Sequence, residues 1–137
     1  MNTSGPRLIN LSEIHDESGD ITVIEEGSHS PFVVRRVYYL HGLKAESERG
    51  SHAHRELRQL MIAITGSFRV RLTGSGWEET FLLNDPNVAL YIPPRTWRDL
   101  DHFSDAAICL VLASEVYEEA DYIRDYQDFR NISELPA

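Results

Sequence analysis

The sequence predicts an all-β, antiparallel barrel or sandwich. Between residues 21 and 113, short runs rich in β-branched, aromatic and aliphatic residues follow one another at close spacing. Turn signals separate these runs, among them Thr65-Gly66-Ser67 and the glycine-containing segment 73–76, and such signals are typical of hairpins. Signals for helices are scarce before residue 114. Many short strands joined by tight turns favour a sheet that closes on itself or forms two packed layers.

Eight of these runs predict individual strands, and the segment around residue 52 adds a ninth. The eight strands cover residues 21–24, 32–40, 60–64, 68–72, 77–83, 88–92, 97–100 and 106–113. From residue 114 the chain is acidic and aromatic, which predicts a tail with one or two helical turns. No linker, internal repeat or low-complexity tract interrupts the 137 residues, so residues 1–137 are predicted to form a single domain.

The alternation of side chains within the strand at 60–64 predicts which way each residue faces. Gln59, Met61 and Ala63 share one face, while Leu60 and Ile62 share the other. Residues two apart on a strand point the same way. Because both faces are largely apolar, this strand is predicted to be covered on both sides.

Composition and charge exclude several kinds of partner. Thirteen basic and 22 acidic residues give a net charge of −9, which disfavours non-specific binding to nucleic acid or to an anionic membrane. The chain shows no secretory signal and no apolar run near the ~20 residues that a membrane span needs, so a cytoplasmic location is expected. The single cysteine, Cys109, lies in an apolar run and is expected to be a buried small hydrophobe.

His52 and His54 are the strongest candidates for chemistry. They lie two residues apart in a predicted strand, so both should project into one enclosed space. Imidazole titrates near neutral pH, which suits a group that takes and returns a proton. It is also a common metal ligand, so the pair by itself is compatible with either role.

The spacing around the histidines resembles the first motif of the cupin β-barrels: His-x-His, four residues, a polar side chain, six residues and Gly66. This resemblance implies an antiparallel, jelly-roll-like cupin barrel. Cupin metal sites normally have Glu at the position of Gln59 and a further His after the prolines near residue 93, where this chain has Arg98. Two neutral nitrogens beside a cation make a poor site for a divalent ion, so no metal is predicted.

Arginines are concentrated near the histidines in sequence. Guanidinium groups bind phosphate oxygens through paired donors, so Arg36, Arg49 and Arg98 are candidates for holding an anionic ligand. For Arg55 and Arg58 a solvated face with salt bridges is the simpler interpretation.

Three aromatic residues are further candidates. Tyr38 and Tyr39 are adjacent in a predicted strand, so only one of them can face the pocket. The sequence does not choose between them. Trp97 is compatible with a place in the core or with a stacking surface for a base or sugar.

A set of segments spread over most of the chain, roughly from residue 13 to residue 129, resembles the nucleotide-sugar 3,4-ketoisomerases. This family is a branch of the cupins related to the dTDP-sugar epimerases. The matching segments are 36–39, 49–54, 66–67, 90–97, 111–114 and 121–126, in that order. The resemblance implies an enzyme that moves the ketone of dTDP-4-keto-6-deoxyglucose from C4 to C3 without a cofactor, in the biosynthesis of aminodeoxysugars.

The resemblance also implies roles for individual residues. His52 is expected to remove the C3 proton, with His54 beside it as a second acid/base or orienting group. The remaining candidates are Tyr38 and Tyr39 as pocket-lining catalytic groups, and Arg36, Arg49, Gln59, Trp97 and Arg98 as groups that bind the dTDP-linked 4-keto-6-deoxysugar. Some members have His where this chain has Arg98. In those members that His could deliver a proton to one face of C4. Because arginine is a poor proton donor, delivery by His52 or His54 from the opposite face is expected, and this would give a product with the gluco configuration at C4. The family further implies a homodimer that exchanges N-terminal strands.

Three alternatives remain open. A related nucleotide-sugar epimerase would remove a proton next to the ketone and restore it at the same carbon. A metal-dependent cupin enzyme would need ligands that Gln59 and Arg98 do not supply. A sugar-sensing module would bind its ligand without exchanging the C3 proton.

Overall fold

The structure is a computed structural model that describes residues 5–133, and strands make up most of it. The strands are β1 (Arg7–Asn10), β2 (Ser12–Asp16), β3 (Gly19–Val23), β4 (Arg36–Leu40), β5 (Arg49–His54), β6 (Gln59–Thr65), β7 (Phe68–Gly74), β8 (Trp77–Leu83), β9 (Val88–Ile92), β10 (Trp97–Asp101), β11 (Ile108–Ala113) and β12 (Tyr122–Ile123). A 3₁₀ turn covers Glu119–Asp121, and helix α1 covers Tyr126–Ser133. The predicted all-β class with a short helical tail is confirmed. Within residues 5–133, no helix has both the length and the apolar character needed to cross a bilayer.

Two five-stranded sheets form the body of the cupin-type barrel. The strand order is β1-β9-β6-β11-β4 in the first sheet and β12-β5-β10-β7-β8 in the second, while β2 and β3 pair as a separate hairpin. The ladders between these strands are antiparallel. Sequential strands such as β9 and β10 lie in different sheets, which is typical of a jelly roll.

The main core lies between the two sheets. Its buried residues come from strands of both sheets and from the loop before β11: Met61, Ala63, Phe68, Val70, Leu72, Phe81, Leu83, Leu90, Ile92, Leu100, Phe103, Ala107, Cys109 and Val111. Met61 and Ala63 therefore face inward, as their alternation with Leu60 and Ile62 predicted. Cys109 is a free, fully buried thiol, and burial raises its pKa to about 12.

Each sheet is also covered on its outer side. Leu60 and Ile62 pack there against Leu11 and Phe32 in a second buried cluster. This confirms the prediction that β6 is covered on both faces. On the second sheet, Phe129 of α1 contributes to a third buried cluster, so the C-terminal helix covers the outside of the strands that carry the site.

The N-terminal half departs from the sequence prediction in two ways. The run 32–40 becomes a strand only at Arg36, because Phe32 is 4% exposed and packs against the outer side of the first sheet instead of joining its edge. The strands β1 and β2 were not predicted. In this single chain β1 pairs with β9, with Arg7 opposite Tyr91, and exchange of N-terminal strands between two copies stays a prediction.

The strand predicted at 106–113 begins later, at Ile108. Ala106 has a positive φ of 59°, and the backbone N–H of Ala107 donates to the carbonyl of Ser104 at 3.2 Å. These two residues therefore belong to a turn, and the ladder starts after it.

Gly66, in the turn between β6 and β7, provides a test of how tightly this end of the barrel is packed. Its φ is +69°, and a Cβ there would lie 2.9 Å from the Cα of Ala107. Gly66→Ala is expected to lower the free energy of unfolding by about 3 kcal/mol, combining backbone strain and overpacking. Chemical denaturation measures this change.

Gly76→Ala is the matched control, because Gly76 has a φ of +78° but no atom within 4 Å of the added Cβ. It should lose only about 1 kcal/mol, the cost of the left-handed backbone conformation. Equal losses in the two variants would contradict the close packing at Gly66.

Candidate active site

One cavity of about 260 Å³ opens between the two sheets and collects most of the predicted site residues. Its polar wall contains Tyr38, Arg49, Gly50, His52, Gln59, Arg98, Tyr122 and Arg124, and its apolar wall contains Leu40, Met61, Leu100 and Val111. Apolar lining with a few convergent polar groups is typical of a small-molecule site.

A β-bulge in β5 shapes this cavity. Arg98 of β10 pairs with His52, and the next residue, Asp99, pairs with Gly50, so Ser51 is the extra residue. Gly50 has a φ of +86°, and a Cβ there would lie 2.8 Å from the carbonyl oxygen of Arg98, which explains why glycine is needed. Since a bulge shifts the alternation of side chains by one, Arg49 lines the same cavity as His52 despite their odd spacing.

The two histidine rings contact each other near the C-terminal end of β5. Their centroids are 4.9 Å apart and the ring planes are almost perpendicular. His52 Nδ1 is 3.0 Å from the carbonyl oxygen of Gly50, and His54 Nδ1 is 3.2 Å from Oδ2 of Asp121. A carbonyl and a carboxylate only accept hydrogen bonds, so in the neutral rings each Nδ1 carries the proton and each Nε2 keeps a lone pair.

Both rings are held neutral near pH 7. Burial, followed by the charge of Arg98, lowers the pKa of His52 to about 4. The same two causes lower the pKa of His54 further, with added repulsion from His52. His54 is completely buried, and its Nε2 has no hydrogen-bond partner within residues 5–133. The cavity therefore has one imidazole on its wall and a second directly behind it.

Arg98, Gln59 and Tyr38 form a chain of hydrogen bonds along the cavity wall. Arg98 Nη1 donates to Gln59 Oε1, and Gln59 Nε2 donates to the hydroxyl of Tyr38 at 2.8 Å. Burial lowers the pKa of Arg98 to about 10, so it remains a cation at pH 7. Burial also raises the pKa of Tyr38. Because Gln59 occupies the acceptor side of the Tyr38 oxygen, the Tyr38 proton is available for donation to a ligand.

Besides His54 behind the wall, two predicted site residues, Tyr39 and Trp97, lie away from the cavity. Tyr39 is 60% exposed and its ring contacts His41, because neighbouring strand residues face opposite ways and Tyr38 takes the inner side. Trp97 is 6% exposed and packs against Tyr126 and Phe129 of the helix. Its role is in the outer packing of the second sheet.

Arg36 lies next to the cavity without lining it. Its guanidinium carbon is 5.3 Å from the ring centre of Tyr38 and 5.7 Å from that of Tyr117. Two of its nitrogens, Nε and Nη2, are buried without a hydrogen-bond partner in the described part of the chain. Buried donors of this kind are usually satisfied, so a ligand that enters here would find unused donors.

The structure adds residues that the sequence did not single out. Tyr122 lies over both histidine rings, with centroids at 4.3 Å from His54 and 5.1 Å from His52. Arg124 lies over Tyr122 at 4.1 Å and pairs with Glu119 through two hydrogen bonds of 2.8 and 3.0 Å. The only signal in the sequence was their place in the family-like segment 121–126, and that segment carried no residue roles.

The residues present do not suit a metal ion. Within residues 5–133, no group of three or more His, Cys, Asp or Glu side chains is arranged to hold one. Gln59 offers no charge, and its amide oxygen already accepts from Arg98. The buried cation would also repel a divalent ion beside the histidines.

Comparison with known proteins shows the family. The model of the family described as FdtA: WxcM-like, C-terminal matches residues 4–134. The chain belongs to this family.

Relatives with this fold are similar over nearly their whole length. A TDP-4-oxo-6-deoxy-alpha-D-glucose-3,4-oxoisomerase from Aneurinibacillus thermoaerophilus is 40% identical over 124 residues, which cover 90% of this chain and 89% of the relative. The crystal structure of QdtA, a sugar 3,4-ketoisomerase from Thermoanaerobacterium thermosaccharolyticum, in complex with TDP is 39% identical, with a TM-score of 0.91 and coverage of 97% and 96% of the two chains. The WlaRB TDP-quinovose 3,4-ketoisomerase from Campylobacter jejuni is 37% identical, with a TM-score of 0.88 and coverage of 92% and 97%.

Proposed function

We propose that this protein is a sugar-nucleotide 3,4-ketoisomerase that acts on dTDP-4-keto-6-deoxyglucose. The observation that carries the proposal is a neutral imidazole, His52, held on a cavity wall beside the buried cation Arg98. A base next to a fixed positive charge is the arrangement that enolisation of a ketone requires. The family relatives named as 3,4-ketoisomerases, one of them crystallised with TDP-4-keto-6-deoxyglucose, support this choice of ketone.

In the first step, Nε2 of His52 takes the proton from C3. The electrons of that C–H bond form the C3=C4 double bond, and the C4 carbonyl oxygen becomes anionic. Arg98 and the hydroxyl of Tyr38 are proposed to stabilise this charge. Both are fixed in advance by hydrogen bonds to Gln59, so little reorganisation is needed.

In the second step, the proton is delivered to C4 and the carbonyl forms at C3. The balance requires that C3 loses one proton, C4 gains one, and the hydroxyl proton moves from O3 to O4. Tyr38 can give its proton to O4 and receive the O3 proton, because burial keeps the phenol protonated. No redox partner enters, since the two carbons exchange oxidation states within one molecule.

The product is proposed to keep the gluco configuration at C4. Arg98 remains protonated at neutral pH and is a poor proton donor, so delivery to C4 falls to an imidazole. Because H3 and H4 lie on opposite faces of a gluco ring, the proton must reach C4 from the face opposite to the one from which the C3 proton is removed. The similarity to a relative named for TDP-quinovose, a sugar with the gluco configuration, supports this choice.

The arginines at the cavity are proposed to hold the diphosphate. Arg49 lines the cavity from an exposed position, and no ion pair involves it among the described residues. Arg124 also lines the cavity but shares its charge with Glu119. Bidentate donation by guanidinium suits phosphate oxygens, and binding energy from this remote part of the substrate would position the sugar ring.

We also propose a cytoplasmic homodimer that exchanges N-terminal strands. Ile14 and Ile21 face each other across the β2–β3 hairpin and are 56% and 60% exposed, which leaves an apolar patch for a second copy to cover. The free thiol of Cys109 is compatible with a reducing compartment. Light scattering of the purified protein should give twice the chain mass, and a monomer would overturn the dimer.

The direct test is incubation with dTDP-4-keto-6-deoxyglucose in deuterated water, followed by proton NMR. The proposal expects the C3 proton to disappear, a 3-keto product to form, and deuterium to be incorporated at C4. The coupling between H4 and H5, measured in ordinary water, reports the C4 configuration and is large for the gluco product. Deuterium at C3 with the ketone still at C4 would indicate an epimerase, and binding without exchange would indicate a sensing module.

The pH dependence of kcat/KM provides a prediction about the base. Because the neutral form of His52 is active and its pKa is lowered to about 4, activity should persist to about pH 5 and decline below it. An ordinary histidine would lose activity below about pH 6.5 instead. Steady-state kinetics with circular dichroism at each pH separates ionisation from acid unfolding, and a midpoint near 6.5 in folded protein would contradict the assignment.

A further inference from the structure

We propose that Asp121 is a positioning residue that holds His54 in the tautomer with a free Nε2, so that His54 acts as a second proton carrier behind His52. The proposal rests on the isomerase function above. Asp121 Oδ2 lies 3.2 Å from His54 Nδ1, and the side chains of His54 and Asp121 are 0% and 13% exposed. The contact is therefore shielded from water. Hydrogen bonds to charged groups are stronger in such a buried environment than in water.

The carboxylate of Asp121 is itself held in place by the backbone. Its Oδ1 accepts from the N–H of Glu56 at 2.8 Å, and its Oδ2 accepts from the N–H of Leu57 at 3.3 Å. The backbone carbonyl of Asp121 accepts from the N–H of Arg55 at 2.9 Å, and the next residue, Tyr122, pairs with His54 in the sheet. The orientation of the carboxylate is thus tied to the turn that directly follows β5.

The remaining surroundings of His54 show what this contact achieves. Nε2 lies across the ring from the contact with Asp121 and has no partner in the described chain, although it is buried. A buried polar atom without a partner costs free energy, and active sites are where such a cost is retained. The neighbouring rings are His52 and Tyr122, both of which line the cavity. The Nε2 lone pair of His54 is therefore unoccupied, in a ring that contacts two side chains of the cavity wall.

The charges around the pair explain why a carboxylate is needed there. Arg98, Arg36 and Arg124 act on His54 as positive charges and His52 lies beside it, so a proton that arrives at His54 is disfavoured. Asp121 is the negative group in direct contact with the ring. It can stabilise the imidazolium that forms briefly during proton transfer without making that state permanent.

The test variant is Asp121→Asn. The amide retains Oδ1 as the acceptor for the N–H of Glu56. Its NH₂ replaces Oδ2, which removes the acceptor for the N–H of Leu57, and donates to Nδ1, so the His54 proton moves to Nε2. We expect kcat to fall by about 10²–10⁴-fold, as for other histidines forced into the wrong tautomer. Calorimetry should show a Kd for dTDP within about threefold of the wild type, because the side chains proposed to bind the diphosphate are untouched.

Nitrogen-15 NMR of the imidazole side chains distinguishes positioning from simple structural support. In the wild type, His54 should show a protonated Nδ1 and an unprotonated Nε2, and Asp121→Asn should reverse the two. Asp125→Asn is the matched control, because that carboxylate accepts from the N–H of Asp128 at 3.0 Å at the start of α1 and makes no contact with the histidines. It should leave the His54 signals and kcat unchanged.

Each outcome bears on the proposal. Wild-type His54 with its proton on Nε2 would overturn it even if the variant failed to fold. A folded Asp121→Asn protein with normal kcat, or with a loss confined to dTDP binding, would also overturn it. If the wild type had no isomerase activity, the proposed function would fail, while the tautomer measurement would still decide the role of Asp121 toward His54.

Discussion

His52→Ala is expected to abolish isomerisation while leaving dTDP binding nearly intact. The substitution removes the imidazole that lines the cavity with its Nε2 lone pair available, and no other described side chain on the wall can accept a proton at neutral pH with the same ease. The loss in kcat should reach about 10³-fold or more. Exchange of the C3 proton in deuterated water measures the chemistry, and calorimetry with dTDP measures binding.

His41→Ala is the matched control for this prediction. His41 is exposed, its ring contacts Tyr39, and it does not line the cavity, so its removal should leave both turnover and binding unchanged. If His52→Ala retained C3 exchange at the wild-type rate, the base would have to be another group. His54 would then be the first candidate, since its Nε2 is also unpaired.

Arg98→Met is expected to lower kcat by about 10²–10³-fold, the range found when a preorganised donor to a developing oxyanion is removed. Methionine approximates the length of the side chain but removes the buried cation, and it leaves Oε1 of Gln59 without its donor. The acid limb of the kcat/KM profile should also move to higher pH, because the charge of Arg98 is one cause of the low pKa of His52.

Arg71→Met controls for the general loss of an arginine in the same sheet. Arg71 lies on β7 and pairs with Glu78 and Asp99, away from the cavity, so kcat and the acid limb should not change. A folded Arg98→Met enzyme is recognised by a higher Tm in the presence of dTDP. If that enzyme kept normal kcat and an unshifted acid limb, Arg98 would have no electrostatic role in the reaction.

Strands whose signals are local were predicted well. The predicted bounds of β8 and β9 agree with the structure, because each run is bounded by turn residues and its pattern depends on neighbours in the sequence. The prediction of a strand over residues 32–40 was wrong for its first residues, since Phe32 is as β-prone as the residues after it. Whether such a segment joins a sheet or packs on its outside depends on distant strands.

The directions of the site side chains were predictable only where a regular period applied, whereas Gln59 and Arg98 came from the motif spacing. The inward direction of His52 follows from the two-residue period of a strand. Arg49 reaches the same cavity only because Ser51 is an extra residue in the bulge. The choice between Tyr38 and Tyr39 needed the barrel itself, because both residues suit a strand equally well and only their side of the sheet distinguishes them.

The sequence alone determined the alternating β pattern, the paired histidines and the departures at Gln59 and Arg98, because these depend on residue type and short spacing. Tertiary structure decided that Trp97 packs beneath the helix and that Asp121 reaches His54 from 67 residues away. It also decided the low pKa of His52, since burial beside a cation exists only after the two sheets have closed. The chemical type of each side chain is given by the sequence, whereas the environment of that side chain is produced by folding.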